Sequence, residues 1–322
     1  MSSVLNNKKH LPFKKPMKST KLMRLICILI AGCALALGTI TSCSRAQSIN
    51  LPENDSESSE LIQTLEAVND NFMANKSEIR GKGWGRKVLR VLYVATADIG
   101  GAYEIGKIGG KVGAVFGPKG AVVGAAVGGT IGAVGASYGA YCSSRSVTID
   151  ADYPLVVSAY SYMQENKELK SLVPSEGVSL QIPKEYNRPI EAGVEHNLML
   201  SLLREESSTL SKHVNKLSDL ERSVTESPEF QKAYNDCIQR AKEITFTPKR
   251  AGKDDLGQKV MNLFLNVYTE YPQDQADVNE IINKYISVIE QSSELSKEEK
   301  ELIYSSLSVA AYSFKYWENE LP

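Results

Sequence analysis

Between residues 88 and 142 the apolar pattern is punctuated by glycine rather than by charge. Glycines stand at 100, 101, 106, 109, 110, 113, 117, 120, 124, 128, 129, 132, 135 and 139. Two series repeat every fourth residue: Gly109, Gly113, Gly117, and then Gly120, Gly124, Gly128, Gly132. Gly135 and Gly139 extend the stripe. Four residues is just over one helical turn, so each series lines one helix face. Glycine costs a helix in water about 1 kcal/mol against alanine. A run of it at helical spacing has to be offset by close backbone packing, as in GxxxG helix pairs. The stripe breaks at Gly117-Pro118-Lys119-Gly120, a turn signal. The pattern therefore predicts a helical hairpin with arms at 88–116 and 120–141. The first arm carries Asp98, Glu104, Lys107 and Lys111, which suit a surface or a protein interior better than lipid. The second arm is uncharged for 23 residues, Gly120 to Cys142. That is long enough to cross a bilayer, although alanine and glycine make it only weakly hydrophobic. A tightly packed hairpin inside protein is the rival arrangement.

Elsewhere the apolar positions follow ordinary amphipathic spacing. Leu61, Leu65, Val68, Phe72 and Ile79 predict a helix over 61–79. Beyond residue 151 the pattern predicts helices at 153–172, 189–206, 208–224, 228–243, 255–271, 275–292 and 297–320. Ser227-Pro228 is a cap with a first-turn proline, and Ser296 to Glu299 reads as a capping box. Ile303, Leu307, Ala310, Phe314 and Trp317 form one buried stripe, as do Val260, Phe264, Val267 and Tyr271. Residues 173–188, with two prolines, read as a loop or a short extended piece. The expected fold is all-α: a glycine-zipper helical hairpin over 88–145, then a multi-helix bundle domain over 146–322. The change of character near Ser143 predicts that residues 151–322 fold alone.

The N-terminus reads as an export signal. Residues 1–24 hold seven basic side chains and no acid, and an apolar run, Leu25 to Gly38, follows. At 14 residues it is too short for a stable transmembrane helix, and it fits a secretory signal. Met17 offers a start with a shorter basic head. Small and hydroxyl residues lead to Ile40-Thr41-Ser42-Cys43. This stretch resembles the lipobox of bacterial lipoproteins, in which cleavage before the cysteine exposes a thiol for lipidation. The resemblance implies a signal peptide at 1–42, lipid on Cys43, and membrane lipid as a partner through that residue. Several acyl chains give stable anchoring where one is marginal. Ser44 stands where aspartate favours inner-membrane retention in enterobacterial lipoproteins, so the resemblance implies the cell envelope, and the outer rather than the inner membrane.

Removal of residues 1–42 changes the charge. The whole chain is at −1, but 30 basic and 38 acidic residues remain, a net charge of −8. That disfavours nucleic acid as a partner. Residues 43–60 are polar and acidic and read as a disordered tether. In the 61–87 segment a basic stretch closes on GKGWGR. Trp84, Arg86, Lys87 and Arg90 are candidates for contact with a membrane surface, the alternative being a solvated basic loop. Of the five cysteines, Cys142 and Cys237 remain after Cys43, as a disulfide or as two buried thiols.

No catalytic residues, metal ligands or cofactor motif emerge. Glu191, Glu195 and His196 lie close on one predicted helix without an HExxH pattern, and a lone helical histidine is generally structural or solvated. GxSxG, paired CxxC, EF-hand and GxxxxGK[ST] patterns are absent. The glycine segment resembles the glycine-zipper domains of bacterial envelope lipoproteins and, more distantly, the glycine-rich helices of class II bacteriocins. The first resemblance implies a non-enzymatic structural or interaction role, with the 88–142 segment at or in the membrane and a protein partner of unknown identity. The second implies a membrane-active effector. An enzyme with an unrecognised site is the third reading.

Overall fold

The computed structural model describes residues 59–79, 85–145, 152–243 and 255–321. The signal segment, Cys43, most of the tether and Trp84 lie outside the described residues. Among these residues there are eleven α-helices, two short 3-10 helices and no strand, so the fold is all-α.

The hairpin forms as the glycine spacing predicts. Helix α1 (Glu60–Ile79) precedes its first arm, α2 (Arg86–Gly113). A 3-10 turn, Ala114–Phe116, follows, and then the second arm, α3 (Pro118–Arg145). The turn comes slightly earlier than the GPKG signal. Gly117 has φ 83°, a value that excludes most side chains, and Pro118 is already the first residue of α3, where its fixed φ suits a helix start.

Along the antiparallel arms a Cβ added to Gly113, Gly109 or Gly101 would collide with the carbonyl oxygen of Gly120, Gly124 or Gly132, and the reverse also holds. Gly128 meets the Ile105 carbonyl in the same register. The arms thus touch backbone to backbone once per turn, which offsets the poor helix propensity of glycine. Farther along α3, Gly128 lies against the Phe230 ring, Gly135 against the Tyr234 ring, and Gly139 against Ile238 and Ala241. That second face receives α8 (Pro228–Ala241), whose stripe Phe230, Tyr234, Cys237 and Ala241 is buried.

The hairpin and the later helices do not form separate units. Glu57–Pro322 is one compact unit, and one hydrophobic cluster runs from Leu61 to Leu321 through Val91, Ile99, Val127 and Ile131. The boundary expected at 145/146 therefore falls inside a single core. The cause is the helix pair itself: two glycine faces approach each other, while the opposite faces carry Ile, Val, Ala and Tyr that need cover. Helices α4 (Tyr153–Glu165), α5 (Asn187–Glu205), α8 and α11 (Lys297–Glu320) supply it. Helix α3 is the one described helix long and apolar enough to cross a membrane, and 72% of its apolar stretch is buried inside this protein.

Helices α9 (Leu256–Tyr268) and α10 (Gln275–Gln291) pack against α1. The Phe72 and Tyr271 rings meet edge on at 4.9 Å, and Asn69 bridges the Leu263 carbonyl and the Tyr285 hydroxyl. Residues 173–186 run along α10, where Asn279 and Asn283, one turn apart, each donate to and accept from the passing backbone. The helix expected over 208–224 is instead two short pieces, α6 (Ser207–Leu210) and α7 (Asp219–Thr225). Ser218 caps α7 in a capping box with Glu221. Between the pieces, His213 reaches Glu165 at 2.9 Å and the Lys216 amide donates to Ser161. These ties to α4 draw the chain out of helical register.

Candidate functional site: an aromatic cleft over a buried aspartate

Where α3, α4, α5, α6 and α11 meet, a surface cleft of about 740 Å³ opens, within the usual size of small-molecule sites. Tyr138 and Tyr141 of α3 and Tyr316 and Trp317 of α11 form its aromatic wall, and Leu155, Leu200 and Leu203 line it further. Tyr141 stacks on Trp317 at 5.0 Å, and Tyr316 meets the same indole edge on. The rim is polar: Ser158, Ser207, Ser211 and Asp152, with Arg204 and Glu320 joined as an ion pair.

Trp317 is the floor, and it is held from behind. Its Nε1–H donates to Asp98 Oδ2 at 3.1 Å and lies 3.3 Å from Ser137 Oγ. Ser313 also donates to Asp98 Oδ2. His196 Nε2 stands 3.5 Å from both Asp98 Oδ2 and Ser137 Oγ. The Asn197 amide nitrogen donates to the Tyr312 carbonyl, which turns its oxygen toward His196 Nδ1 at 3.0 Å. That arrangement assigns the ring proton to Nδ1 and the lone pair to Nε2. Asp98, His196 and Ser137 are all completely buried.

Burial pushes the Asp98 carboxyl up to about 7, although hydrogen bonds from Ser137, Ser313 and Trp317 pull the other way. Burial also pushes His196 down to about 4, against the hydrogen bond to Asn197. Both shifts favour the neutral form, so below about pH 7 the pair is a carboxylic acid beside a neutral imidazole rather than an ion pair. Ser, His and Asp are the residue types of a hydrolytic triad, but the geometry is not. In a triad the carboxylate holds Nδ1 and the serine faces Nε2; here both oxygens face Nε2, and no surface reaches them. The cluster ties four helices together and sets the position of the cleft floor.

A charged group closes the other side of α5. Buried Glu195 accepts from Lys170 at 2.7 Å and Thr130 at 3.2 Å, with Arg188 at 3.3 Å. On α8, Arg240 grips Glu104 of α2 through both guanidinium nitrogens. Each internal acid of the hairpin is thus met by a donor from a distant helix. Among the described residues no three His, Cys, Asp or Glu side chains converge as a metal site.

Of the glycines singled out by sequence, Gly109, Gly113, Gly120, Gly124, Gly128 and Gly132 lie at helix contacts, whereas Gly117 sits in the turn with open space beside it; Gly101, outside both period-four series, joins the contact. Arg86, Lys87 and Arg90 are exposed on the first turn of α2, next to Leu89, itself 51% exposed. Cys142 and Cys237 are not joined as a disulfide; the first is half-buried and the second buried. Asp98, Ser137, Ser313 and Trp317 were not legible as a group. The available signal was one acid, Asp98, in an otherwise apolar stretch of α2. The chain matches no protein-family model, no curated protein and no solved structure.

Proposed function

We propose that this chain is a bacterial envelope lipoprotein without enzymatic activity, tethered by lipid on Cys43, whose helical unit makes contacts for an envelope partner. The observation that carries the reading is the order basic head, 14-residue apolar run, Ile40-Thr41-Ser42-Cys43. The closed Asp98–His196–Ser137 cluster is consistent with it, because a general base and a nucleophile have to reach substrate. The open cleft is the natural contact site, and Ser44 after the cysteine favours the outer membrane. Burial of α3 weighs against the effector reading, since inserting the arms in a target bilayer would take the spine out of the core.

The test is acyl-lipid labelling with membrane fractionation and mass spectrometry of the mature N-terminus. Wild type should take up label, sediment with membranes and begin at a diacylglyceryl-modified Cys43. Cys43→Ser should lose the label and remain unprocessed. Retention of label by Cys43→Ser, or cleavage elsewhere, ends the proposal.

A further inference from the structure

The closed end of the hairpin is the most exposed apolar feature of the described structure. Seven large apolar side chains are exposed, and three of them, Val115 (84%), Phe116 (52%) and Val123, fall within nine residues around the turn. Lys111 and Lys119 flank them and are also exposed. The hairpin segment from 105 to 149 contains no acid. Two apolar side chains at a turn with lysines to either side match a bilayer interface: rings and methyls below the headgroups, ammonium groups at the phosphates.

The end from which the tether leaves points to the same partner. The Leu61 amide at the start of α1 donates to Glu294 at 2.8 Å, just before α11 begins at Lys297. The first turns of α11 lie along the closed half of the hairpin, with Leu302 against Gly106. The chain therefore emerges at the same end of the bundle as the hairpin turn. Fifteen residues, 44–58, separate Cys43 from the described part. Their full extension is about 50 Å, so a lipid on Cys43 keeps this end close to the membrane, where a weak contact suffices. Three exposed apolar side chains are far fewer than the roughly 20–30 residues a side of a stable protein interface. Glu298, Glu299 and Glu301 share the hairpin flank with Lys107, Lys111 and Ala114, while Val115, Phe116 and Lys119 do not line it. By contrast Arg86, Lys87 and Arg90 lie at the other end of α2, about 40 Å away for a helix of 28 residues.

We propose that the hairpin turn, through Val115, Phe116, Lys111 and Lys119, is a docking surface for an anionic phospholipid bilayer. The proposal rests on the lipoprotein reading for its proximity argument. The arms stay in the protein core, and only the turn enters the headgroup layer.

The test is flotation of residues 44–322, unlipidated, with vesicles of phosphatidylethanolamine and phosphatidylglycerol (3:1), and with phosphatidylcholine alone. Binding should favour the anionic vesicles and weaken with salt. Val115→Asp/Phe116→Asp should reduce it at least tenfold, and Lys111→Glu/Lys119→Glu severalfold, with helical content and melting unchanged because all four positions are exposed. Arg86→Glu/Lys87→Glu/Arg90→Glu should bind as wild type does. The proposal is overturned if wild type does not float with anionic vesicles, if the aspartate variant floats equally well, or if the Arg86/Lys87/Arg90 variant is the one that loses binding. Because residues 44–322 do not include Cys43, the outcome is independent of acyl labelling: either reading can fail while the other stands.

Discussion

The two ends of the α2–α3 hairpin are held together by different chemistry. Toward the turn, Gly113 and Gly120, then Gly109 and Gly124, bring main chain against main chain with no side chain between them. Toward the open end the same helices carry Asp98 and Ser137, and there α5 and α11 insert His196, Ser313 and Trp317 to complete a buried polar cluster. The first contact is specified by a repeat within one short segment. The second depends on residues 59 to 219 positions apart in sequence. The closed end is therefore a local structure that other helices cover only in part, whereas the open end exists only in the finished bundle.

The largest expected effect breaks the closed end. Gly109→Leu puts a branched side chain where only the Gly124 carbonyl and the Gly128 backbone fit. Overpacking ordinarily costs about 1–3 kcal/mol. Here the obstacle is backbone, which cannot swing aside as a side chain does, so a loss above about 3 kcal/mol is expected in denaturant unfolding followed by circular dichroism. An unchanged midpoint would mean that the arms do not touch at this register. On a lipid-facing helix the same change would be neutral or favourable.

A mid-sized effect isolates the open end through pH. Folding raises Asp98 from its ordinary 3.8 to about 7 and lowers His196 from 6.5 to about 4. Between about pH 4 and 6.5 the folded pair keeps one proton, on Asp98, and the unfolded pair also keeps one, on His196. Proton numbers match, so the wild-type pair makes stability nearly flat across this window. Single variants unmask the opposing slopes. Asp98→Asn leaves His196 alone, and stability should rise by about 3 kcal/mol from pH 4 to 6.5, because only the unfolded histidine binds a proton there. His196→Gln leaves Asp98 alone, and stability should fall by about 4 kcal/mol from pH 4 to 7 as the unfolded carboxyl ionises and the buried one does not. Unfolding free energies at half-unit steps decide it. Parallel profiles for the three proteins would remove the neutral-pair description.

This contrast also explains what could be read from sequence. Period-four glycine and the GPKG break gave both arms and the turn to within a few residues, because backbone contact leaves its trace in the chain itself. Helices with caps, such as those starting at Ser227 and Ser296, were legible for the same local reason. Residues 208–224 were misjudged because His213 and Lys216 are pulled to Glu165 and Ser161, partners that no local pattern announces. The division at 145/146 failed likewise. A glycine-rich, nearly uncharged segment beside amphipathic helices looks like two domains, yet the outer faces of the arms form the floor of the common core. The cleft was illegible altogether, since Tyr138, Leu200, Arg204 and Trp317 are brought to it by three different helices.

The smallest effect separates glycines that make the contact from neighbours that only resemble them. Gly129 is buried, but a Cβ there would meet only the Ala102 carbonyl oxygen, at 3.4 Å, an ordinary contact distance. Gly110, next to Gly109, would meet Ala121 and Ala125 at the same 3.4 Å. Neither has positive φ. Both pay the helical penalty of glycine without the close approach that offsets it. Alanine at either position should therefore stabilise the fold by about 0.5–1 kcal/mol, through helix propensity and a less free unfolded chain, which for a unit of this size is a rise in Tm of about 2 °C. Gly128→Ala, one residue from Gly129, should instead destabilise, since its Cβ falls inside the Ile105 carbonyl and against the Phe230 ring. Thermal melts of Gly128→Ala and Gly129→Ala side by side give the sharpest reading of the register. If the two variants shift Tm in the same direction, the every-fourth stripe is not what holds the arms together.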